Sequence, residues 1–332
     1  MEGSVGLRGS PSDNDKPSIR EMQRCYELLE ATSRSFYPSI MGIEALPERN
    51  AMCLFYLALR ALDTIEDDPV LKVDDKTARL RAFDEKGFAV VDESCCQGSS
   101  RYAELMREFD GSVLGQLETL PESVQVLIFG VARDMGKDMA RCLEKDIVTW
   151  EDYSGYCWAV AGRLVRPIGT LFSLYEGGEH EEETLDAAGE ILQRINIIRD
   201  IREDTLEGRR FWPKVALEAR GFESHEALLD PSRIADASLV LKDMVDEAVA
   251  LVEKTGLERF AGIYAMHPMA QRMAHKWLTV TFAHFPLFRS EDAAHELFAD
   301  GGKLKVNRDV VNQCVGIAGD EAAVLDFFQR VL

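Results

Sequence analysis

The sequence predicts an all-α fold, and two observations support this prediction. Runs of Val, Ile and Thr with alternating polarity between turn residues, which are typical of strands, are rare. Apolar residues at helical spacing are frequent instead, and they indicate about eight to twelve helices. A chain of 332 residues, 46% of them hydrophobic, is long enough to bury one sizeable core. We therefore expect a single helical domain.

Helical periodicity recurs along the chain between breaks rich in Gly, Pro, Asp and Ser, at residues 18–40, 51–68, 101–118, 122–145, 151–175, 182–204, 236–254 and 268–284. The stretch AMCLFYLALRALDTIEDD (51–68) is apolar around most of its circumference before its polar end. It is predicted to be a core helix whose C-terminal end reaches water. No linker divides the chain, so we expect one domain at residues 19–332 and a disordered, polar tail at residues 1–18.

The composition restricts the kinds of partner. With 58 acidic and 38 basic residues, the net charge of −20 disfavours binding to nucleic acid or to an anionic membrane through a basic surface. Cations, including metal ions, are the favoured charged partners. Seven cysteines without CxxC spacing indicate reduced thiols in the cytoplasm. No apolar run resembles a signal peptide or reaches the roughly 20 residues of a membrane helix.

Two aspartate pairs share the same spacing. Asp63 and Asp67 are four residues apart, as are Asp200 and Asp204, so each pair lies on one helix face with about 5 to 6 Å between Cβ atoms. A single pair of this kind is usually a solvated helix end. The first pair fits that interpretation poorly, because negative charge near a helix C-terminus opposes the macrodipole. Mg²⁺ would remove the repulsion, so the sequence predicts a magnesium site with a diphosphate between the two pairs.

Arginines and aromatic residues accompany the aspartate pairs. Arg60 and Arg199 precede the first and second pair and would supply planar donors to phosphate oxygens. An aromatic pocket would keep water from a carbocation left behind by a departing diphosphate. Nearby aromatic residues, each more often simply part of a core, are Phe36, Phe55, Tyr56, Tyr153, Tyr156, Trp158, Phe172, Phe211 and Trp212. Glu66 and Asp68 are expected to lie off the aspartate face, on a solvated helix end.

Five segments together resemble the squalene/phytoene synthase family: SRSFYPSI (33–40), CLFYLALRALDTIEDDP (53–69), YCWAVAG (156–162), LQRINIIRDIRED (192–204) and GRRFWP (208–213). Their order and spacing agree over roughly residues 20–260, and their wording is more similar to the squalene synthase branch. The resemblance implies an isoprenoid-synthase helical bundle with a central active-site cavity. It also implies an enzyme that joins two molecules of farnesyl diphosphate head to head, with Mg²⁺ and NADPH as cofactors.

The resemblance also assigns expected roles to individual residues. The Mg²⁺-binding positions are matched by Asp63, Asp67, Asp200 and Asp204. The arginines that bind diphosphate and close the pocket are matched by Arg60, Arg199 and Arg209. The phosphate contact of the SRSF motif is matched by Ser33 and Arg34. Substrate-pocket positions and their neighbours are matched by Tyr56, Gln193 and Asn196. Tyr156 matches the tyrosine proposed as the base of the first half-reaction, and its alternative interpretation is a hydrogen-bonded core tyrosine.

Two stretches depart from the family pattern. RLVRPIG (163–169) contains Arg163, Arg166 and Pro167, where we expect the proline to end or kink the helix and the arginines to alter the seat of the second diphosphate. HPMAQRMAHKWLTVTF (267–282) contains polar residues where the family has an apolar helix. The polar residues are His267, Arg272, His275 and Lys276. The spacing of Arg272, His275 and Lys276 places these three on one face, which is expected to be a solvated outer face.

The cofactor NADPH follows from the resemblance alone, because no GxGxxG fingerprint follows a predicted strand. The segment GGKLKVNRD (301–309) lies where the family has a basic segment linked to the reductive step. Lys303, Lys305 and Arg308 could contact a 2′-phosphate, although a short basic stretch is more often plain surface.

Two alternatives remain open at this point. The first is the same condensation without reduction, ending at presqualene diphosphate, a dehydrosqualene-like or phytoene-like polyene, or another rearranged terpene. The second is a non-catalytic assembly protein on the same fold, against which the four motif aspartates argue. We expect a cytoplasmic monomer with peripheral membrane association for product release. If a C-terminal anchor is missing, the cytosolic face of the endoplasmic reticulum is the expected location.

Overall fold

The structure, a computed structural model, describes residues 19–33, 36–95, 102–178, 181–265, 267–299 and 304–332. Within these ranges it is helical and contains no strand, as the sequence predicts. The α-helices are α1 (Ile19–Thr32), α2 (Phe36–Met41), α3 (Leu46–Glu66), α4 (Val73–Arg81), α5 (Phe83–Lys86), α6 (Ala103–Glu108), α7 (Gly115–Leu117), α8 (Glu122–Leu143), α9 (Trp150–Cys157), α10 (Arg163–Glu176), α11 (Glu182–Leu206), α12 (Lys214–Glu218), α13 (Ile234–Thr255), α14 (Leu257–Ala261), α15 (Pro268–Phe282), α16 (His284–Phe288), α17 (Arg308–Ile317) and α18 (Glu321–Val331).

Other helical turns extend or interrupt these elements. Three are 3₁₀ turns, Gly87–Val90, Glu226–Leu229 and Pro231–Arg233, and three are π-helical, Phe109–Leu114, Trp158–Gly162 and His295–Ala299. Eleven of the α-helices in the described ranges have eight or more residues, and the shorter ones carry too little periodicity to be seen in the sequence. The stretch 18–40, predicted as one helix, breaks after Thr32 into α1 and α2.

The centre of the bundle is α3, which confirms the prediction of a core helix. Its N-terminal turn contains Pro47, and thirteen of its residues are buried around most of its circumference. It packs against α1, α4, α8 and α10, while α11 packs against α9, α10, α13 and the π-helical stretch Trp158–Gly162. These contacts leave α3 and α11 on two sides of one central space.

Pro167 does not end its helix, contrary to one of the two expected outcomes. The helix α10 continues through Pro167 to Glu176. The π-helical stretch Trp158–Gly162 ends one turn before the proline. The wide turn breaks the regular hydrogen-bond ladder just before Arg163, the residue whose carbonyl a proline at position 167 would crowd. The irregularity therefore lies upstream of Pro167, next to the cavity-lining residue Val160.

The expected solvated face of α15 is wrong for His275, one of its three residues, and the polar residue His267 before the helix is buried as well. His267 and His275 have no exposed surface, whereas Arg272 is exposed and Lys276 is half-buried. The His275 Nε2 donates to the Ala261 carbonyl at 2.7 Å, and its Nδ1 accepts from the Gly319 N–H at 3.1 Å. A neutral imidazole has one donor and one acceptor, so both of its polar atoms are satisfied inside the core.

The remaining predictions about the whole chain have mixed outcomes. The six cysteines of the described ranges are free thiols, as expected. None of the helices that the structure describes is both long and apolar enough to span a bilayer. The predicted disordered tail, residues 1–18, lies outside the described residues.

Candidate active site

A cavity of about 450 Å³ lies between α3, α10 and α11. Eleven of the residues predicted for the site line it: Tyr56, Arg60, Asp63, Asp67, Tyr156, Gln193, Asn196, Arg199, Asp200, Asp204 and Arg209. Along α3 the lining runs from Met52 to Asp67, which corresponds to about 22 Å of helix. The acidic residues lie at the C-terminal ends of α3 and α11, so the cavity has one acidic end and a long apolar remainder.

The acidic end of α3 is held by Arg60. Its Nη1 lies 2.7 Å from the Asp63 Oδ2, and its Nε donates to the Tyr56 hydroxyl at 3.2 Å. The guanidinium also lies over the rings of Tyr56 and Tyr102, at 5.5 and 5.4 Å from their centroids. These contacts fix Arg60 in the cavity wall beside the first aspartate pair.

The acidic end of α11 has two arginine partners. Arg199 forms a bidentate pair with the adjacent Asp200, with Nε–Oδ1 and Nη2–Oδ2 distances of 3.0 and 2.6 Å. Arg209 reaches back from the turn after α11, and its Nε and Nη2 donate to the Asp204 Oδ1 at 2.9 and 2.6 Å. Gly208 makes this turn with a φ of 84°, a conformation that favours glycine.

Three carboxyl groups of the site have raised pKa values. Burial raises the pKa of Asp63 to about 6, with Asp67 adding to the effect and Arg60 opposing it. Burial also raises the pKa of Asp204 to about 6, against its hydrogen bonds from Arg209. For Glu66, burial together with the charges of Asp63 and Asp67 raises the pKa to about 8. Burial thus favours the protonated form of each of these groups, and repulsion from neighbouring carboxylates adds to this preference.

This donor set suits Mg²⁺. In the described part of the chain, no three His, Cys, Asp or Glu side chains converge closely enough to enclose one metal ion. Mg²⁺ is commonly held through one or two carboxylates, several waters and substrate phosphate oxygens, so a full protein cage is not required. Asp67 supplies a carboxylate that forms no ion pair with any described residue. The cavity wall has five carboxyl groups and three arginines, so its hard oxygen donors fit a divalent cation at this end of the cavity.

Glu66 and Asp68 do not form the solvated helix end expected from the sequence. Glu66 lines the cavity beside Asp63 and Asp67. Its position three residues after Asp63 gives it a place on the same helix face, a signal that was available in the sequence. Asp68 is 2% exposed, and its Oδ1 accepts the N–H groups of Val70 and Leu71 at 2.7 and 3.0 Å. It therefore shapes the turn that follows α3.

Tyr156 lies in the cavity wall against Phe211. Their rings stack with centroids 5.0 Å apart and an interplanar angle of 21°. Burial raises the pKa of Tyr156 well above its usual value, and the nearby charge of Glu66 adds to this effect. The phenol is therefore neutral at physiological pH, with its proton in place.

The apolar remainder of the cavity is lined by side chains from eight helical segments and from the turn after α11. The predicted aromatic residues that reach it are Phe36, Phe55, Tyr56, Tyr156 and Phe211, whereas Tyr153, Trp158, Phe172 and Trp212 do not line it. Trp277 of α15 also lines the cavity and was missed by the sequence analysis, because it stands within the polar run assigned to an outer face. Exclusion of water is the evident property of this wall.

Some predicted site residues lie elsewhere or outside the described ranges. The Ser33 hydroxyl accepts the Phe36 N–H at 3.0 Å, so it caps α2 and does not line the cavity. Lys305 and Arg308 are exposed and are absent from the cavity wall. Arg34 and Lys303 lie outside the described residues.

Arg163 and Arg166 do not reach the diphosphate end, contrary to expectation. Arg163 pairs with Asp138, and also with Asp134 at 3.2 Å. Arg166 donates its Nε to the Asp186 Oδ1 at 3.0 Å. Both arginines line a separate groove on the outside of α8 and α10. Carboxylates of α8 and α11 thus hold these arginines away from the cavity.

The comparison with protein families agrees with the fold and with the arrangement of this cavity. The family model described as squalene/phytoene synthase matches residues 29–277, which include α3, α11 and the whole acidic end. The chain belongs to the squalene/phytoene synthase family.

Individual relatives place it near the squalene synthase branch. It is 32% identical to a squalene synthase of Rattus norvegicus over 249 residues, 74% of this chain and 59% of that protein. It is 33% identical to a squalene synthase of Nicotiana benthamiana over 275 residues, 80% of this chain and 66% of that protein. The chain thus spans about half to two thirds of the length of the curated relatives it matches. A solved structure, TcSQS with the ligand BPH1237, superposes with a TM-score of 0.82 at 28% identity, covering 94% of this chain and 90% of that one.

Proposed function

We propose that this chain condenses two molecules of farnesyl diphosphate head to head to presqualene diphosphate, with Mg²⁺, and then reduces that intermediate to squalene with NADPH. One observation carries the proposal. Two acidic helix ends, each with arginine partners, lie at the same end of an apolar cavity that is lined by aromatic rings. This arrangement suits an ionisable diphosphate attached to a long hydrocarbon.

In the proposed reaction, the arginines and the aspartates of the cavity would have separate roles. Arg60, Arg199 and Arg209 bind diphosphate oxygens, and the C–O bond breaks with its electron pair leaving on the diphosphate. Asp63, Asp67, Asp200 and Asp204 would hold Mg²⁺, which offsets the charge on the leaving group. The 2,3-double bond of the second molecule attacks the allylic cation.

Loss of a proton then closes the cyclopropane ring of presqualene diphosphate. Tyr156 is the proposed carrier of this proton. Because burial keeps its phenol protonated, it accepts the substrate proton as it passes its own to a neighbouring oxygen of the diphosphate. The faces of Tyr156 and Phe211 would stabilise the cation while the apolar wall excludes water.

The reductive step is proposed on family membership. Hydride from NADPH would quench the cation that forms after the second ionisation and rearrangement. Lys303, Lys305 and Arg308 remain the proposed contacts of the cofactor's phosphate. Of these, Lys305 lies just before α17 and Arg308 begins it, and both are exposed.

Product analysis tests the proposal. The purified chain is incubated with farnesyl diphosphate and Mg²⁺, with and without NADPH, and the products are identified by mass spectrometry. We expect presqualene diphosphate without NADPH and squalene with it. Absence of any condensed C30 product would refute the condensation, whereas a C30 product that is unaffected by NADPH would refute only the reduction.

The second candidate function is condensation without reduction. It is favoured by the exposed positions of Lys305 and Arg308, away from the cavity wall. Its signature is a presqualene or polyene product that stays the same whether or not NADPH is present. A non-catalytic assembly role is less well supported, because the carboxylates of both motifs line one cavity.

We further propose that the chain acts in the cytoplasm as a monomer that contacts membranes peripherally when it releases its product. Light scattering after size-exclusion chromatography tests the monomer. Flotation with neutral lipid vesicles, before and after turnover, tests the membrane contact.

A further inference from the structure

The C-terminal end of α3 carries a concentration of acidic side chains. Glu66 is its last residue, Asp67 caps it, and its last turn contains no basic side chain. The free carbonyl groups of a helix C-terminus add the negative end of the macrodipole to these carboxylates. Arg60 pairs with Asp63, one turn earlier, so it does not offset the charge of the final residues.

Lys76 of α4 supplies a cation at this point. Its Nζ donates to the Glu66 carbonyl oxygen at 2.6 Å. The turn shaped by Asp68 brings the chain back so that α4 starts at Val73 and presents Lys76 to the end of α3. The ammonium is therefore held by a short, structured connection.

The charges of Lys76 and Arg209 both act on Glu66 and Asp67. Both side chains lower the pKa of Glu66 through their charges, against the larger effect of burial. Burial lowers the pKa of Lys76, while Asp67, Asp68 and Glu66 favour its charged form. Lys76 is half-buried and is absent from the cavity wall, so it lies behind the acidic surface that a ligand would contact.

We propose that Lys76 is a positioning residue that favours the arrival of diphosphate over the binding of a bare divalent cation at the acidic end of the cavity. Its positive charge repels Mg²⁺ from Glu66 and Asp67 and attracts the net negative complex of Mg²⁺ with one diphosphate. The inference deepens the proposed function and rests on it. It differs from a purely structural role, because the two ligands should respond to the lost charge in opposite directions.

Calorimetry on the full chain tests this inference with two probes, MgCl₂ alone and inorganic diphosphate with one equivalent of Mg²⁺. For Lys76→Met we expect the Kd for Mg²⁺ to fall by about threefold to tenfold, and the Kd for magnesium diphosphate to rise by a similar factor. Lys76→Arg, which keeps the charge, should behave as the wild type does. Lys72→Met removes an exposed lysine one turn earlier and should change neither constant.

Several outcomes would overturn the inference. Weaker binding of both probes by Lys76→Met would indicate a structural role, and unchanged binding of both would indicate an ordinary surface lysine. Circular dichroism and the thermal midpoint of each variant show whether it is folded. If the wild type itself fails to bind magnesium diphosphate, the proposed function is refuted and the inference with it. Binding by the wild type, with no opposite shifts in the variant, refutes the inference alone.

Discussion

Gly189 of α11 lies in direct backbone contact with Ala161 of the π-helical stretch. A Cβ atom added to Gly189 would lie 2.3 Å from the Ala161 carbonyl oxygen and 2.7 Å from the Cα of Gly162. No side chain fits at that separation, so glycine sets the spacing between the two segments. One segment carries Val160 and Ala161 of the cavity wall, and the other carries Gln193 and Asn196.

Gly189→Ala should destabilise the protein. Because the obstructing atoms belong to the backbone, the helices must separate, and we expect a loss of about 1–3 kcal/mol or more in the free energy of unfolding. Chemical denaturation measures the change. Gly130→Ala is the matched control, since Gly130 lies within α8 with nothing near its would-be Cβ and should gain roughly 0.5–1 kcal/mol. Equal effects of the two variants would contradict the close contact.

Asp63→Asn and Asp200→Asn should each reduce turnover of farnesyl diphosphate by at least about 100-fold, because each removes a charged oxygen donor from the proposed magnesium site. A coupled assay that detects the released diphosphate measures the rate. Asp134→Asn is the control, since Asp134 pairs with Arg163 in the outer groove. Full activity of both motif variants would exclude their predicted role.

Tyr156→Phe should reduce kcat for condensation by about 10²- to 10⁴-fold while leaving KM nearly unchanged. The variant loses the hydroxyl that moves the proton, but it keeps the ring that stacks on Phe211. Tyr153→Phe, on the same helix and outside the cavity wall, should retain activity. Retained condensation by Tyr156→Phe would leave Tyr156 as a core tyrosine.

The raised pKa of Glu66 makes stability depend on pH. Between its ordinary value of 4.5 and about 8, the folded state binds the Glu66 proton more tightly than the unfolded chain does. The free energy of unfolding therefore falls as pH rises through this window. Buried histidines with lowered pKa values, such as His225 and His275, have the opposite effect up to about pH 6.5. The contribution of Glu66 is thus best isolated between pH 6.5 and 8.

Glu66→Gln should remove this pH dependence and should stabilise the metal-free protein at pH 8. Thermal midpoints between pH 6.5 and 8.5, measured in a chelating buffer for wild type and variant, provide the test. A wild-type midpoint that does not fall over this range would contradict the raised pKa of Glu66.

The sequence was sufficient for the helical class, the core helix α3 and the two aspartate pairs, because these features depend on local spacing. It also identified Arg60 and Arg199 as cavity residues, since each precedes an aspartate pair, whereas Arg209 was identified through the family resemblance. Features that depend on local spacing can be predicted without knowing how the helices pack.

Features that depend on distant partners were harder to predict. The sequence suggested that Arg163 and Arg166 alter the binding of a diphosphate. In the structure they form ion pairs with Asp138 and Asp186, which belong to other helices. His275 was predicted to be a surface residue. Its hydrogen-bond partners are the Ala261 carbonyl and the Gly319 N–H, and no pattern of side chains in the sequence indicates such backbone partners. Only the folded chain shows such partners.

The concentration of charge at one end of the cavity has a consequence for the shape of the product. Arg209 pairs with Asp204 of α11, and its charge also interacts with Asp67 at the end of α3. The two acidic helix ends therefore form one polar region at the same end of the cavity. In the proposed reaction, two amphipathic molecules that enter such a space would lie parallel, with their tails along the same walls. The two C1 atoms would then lie close together, so that the proposed rearrangement after cyclopropane formation would join them and give a hydrocarbon that is symmetric about its middle.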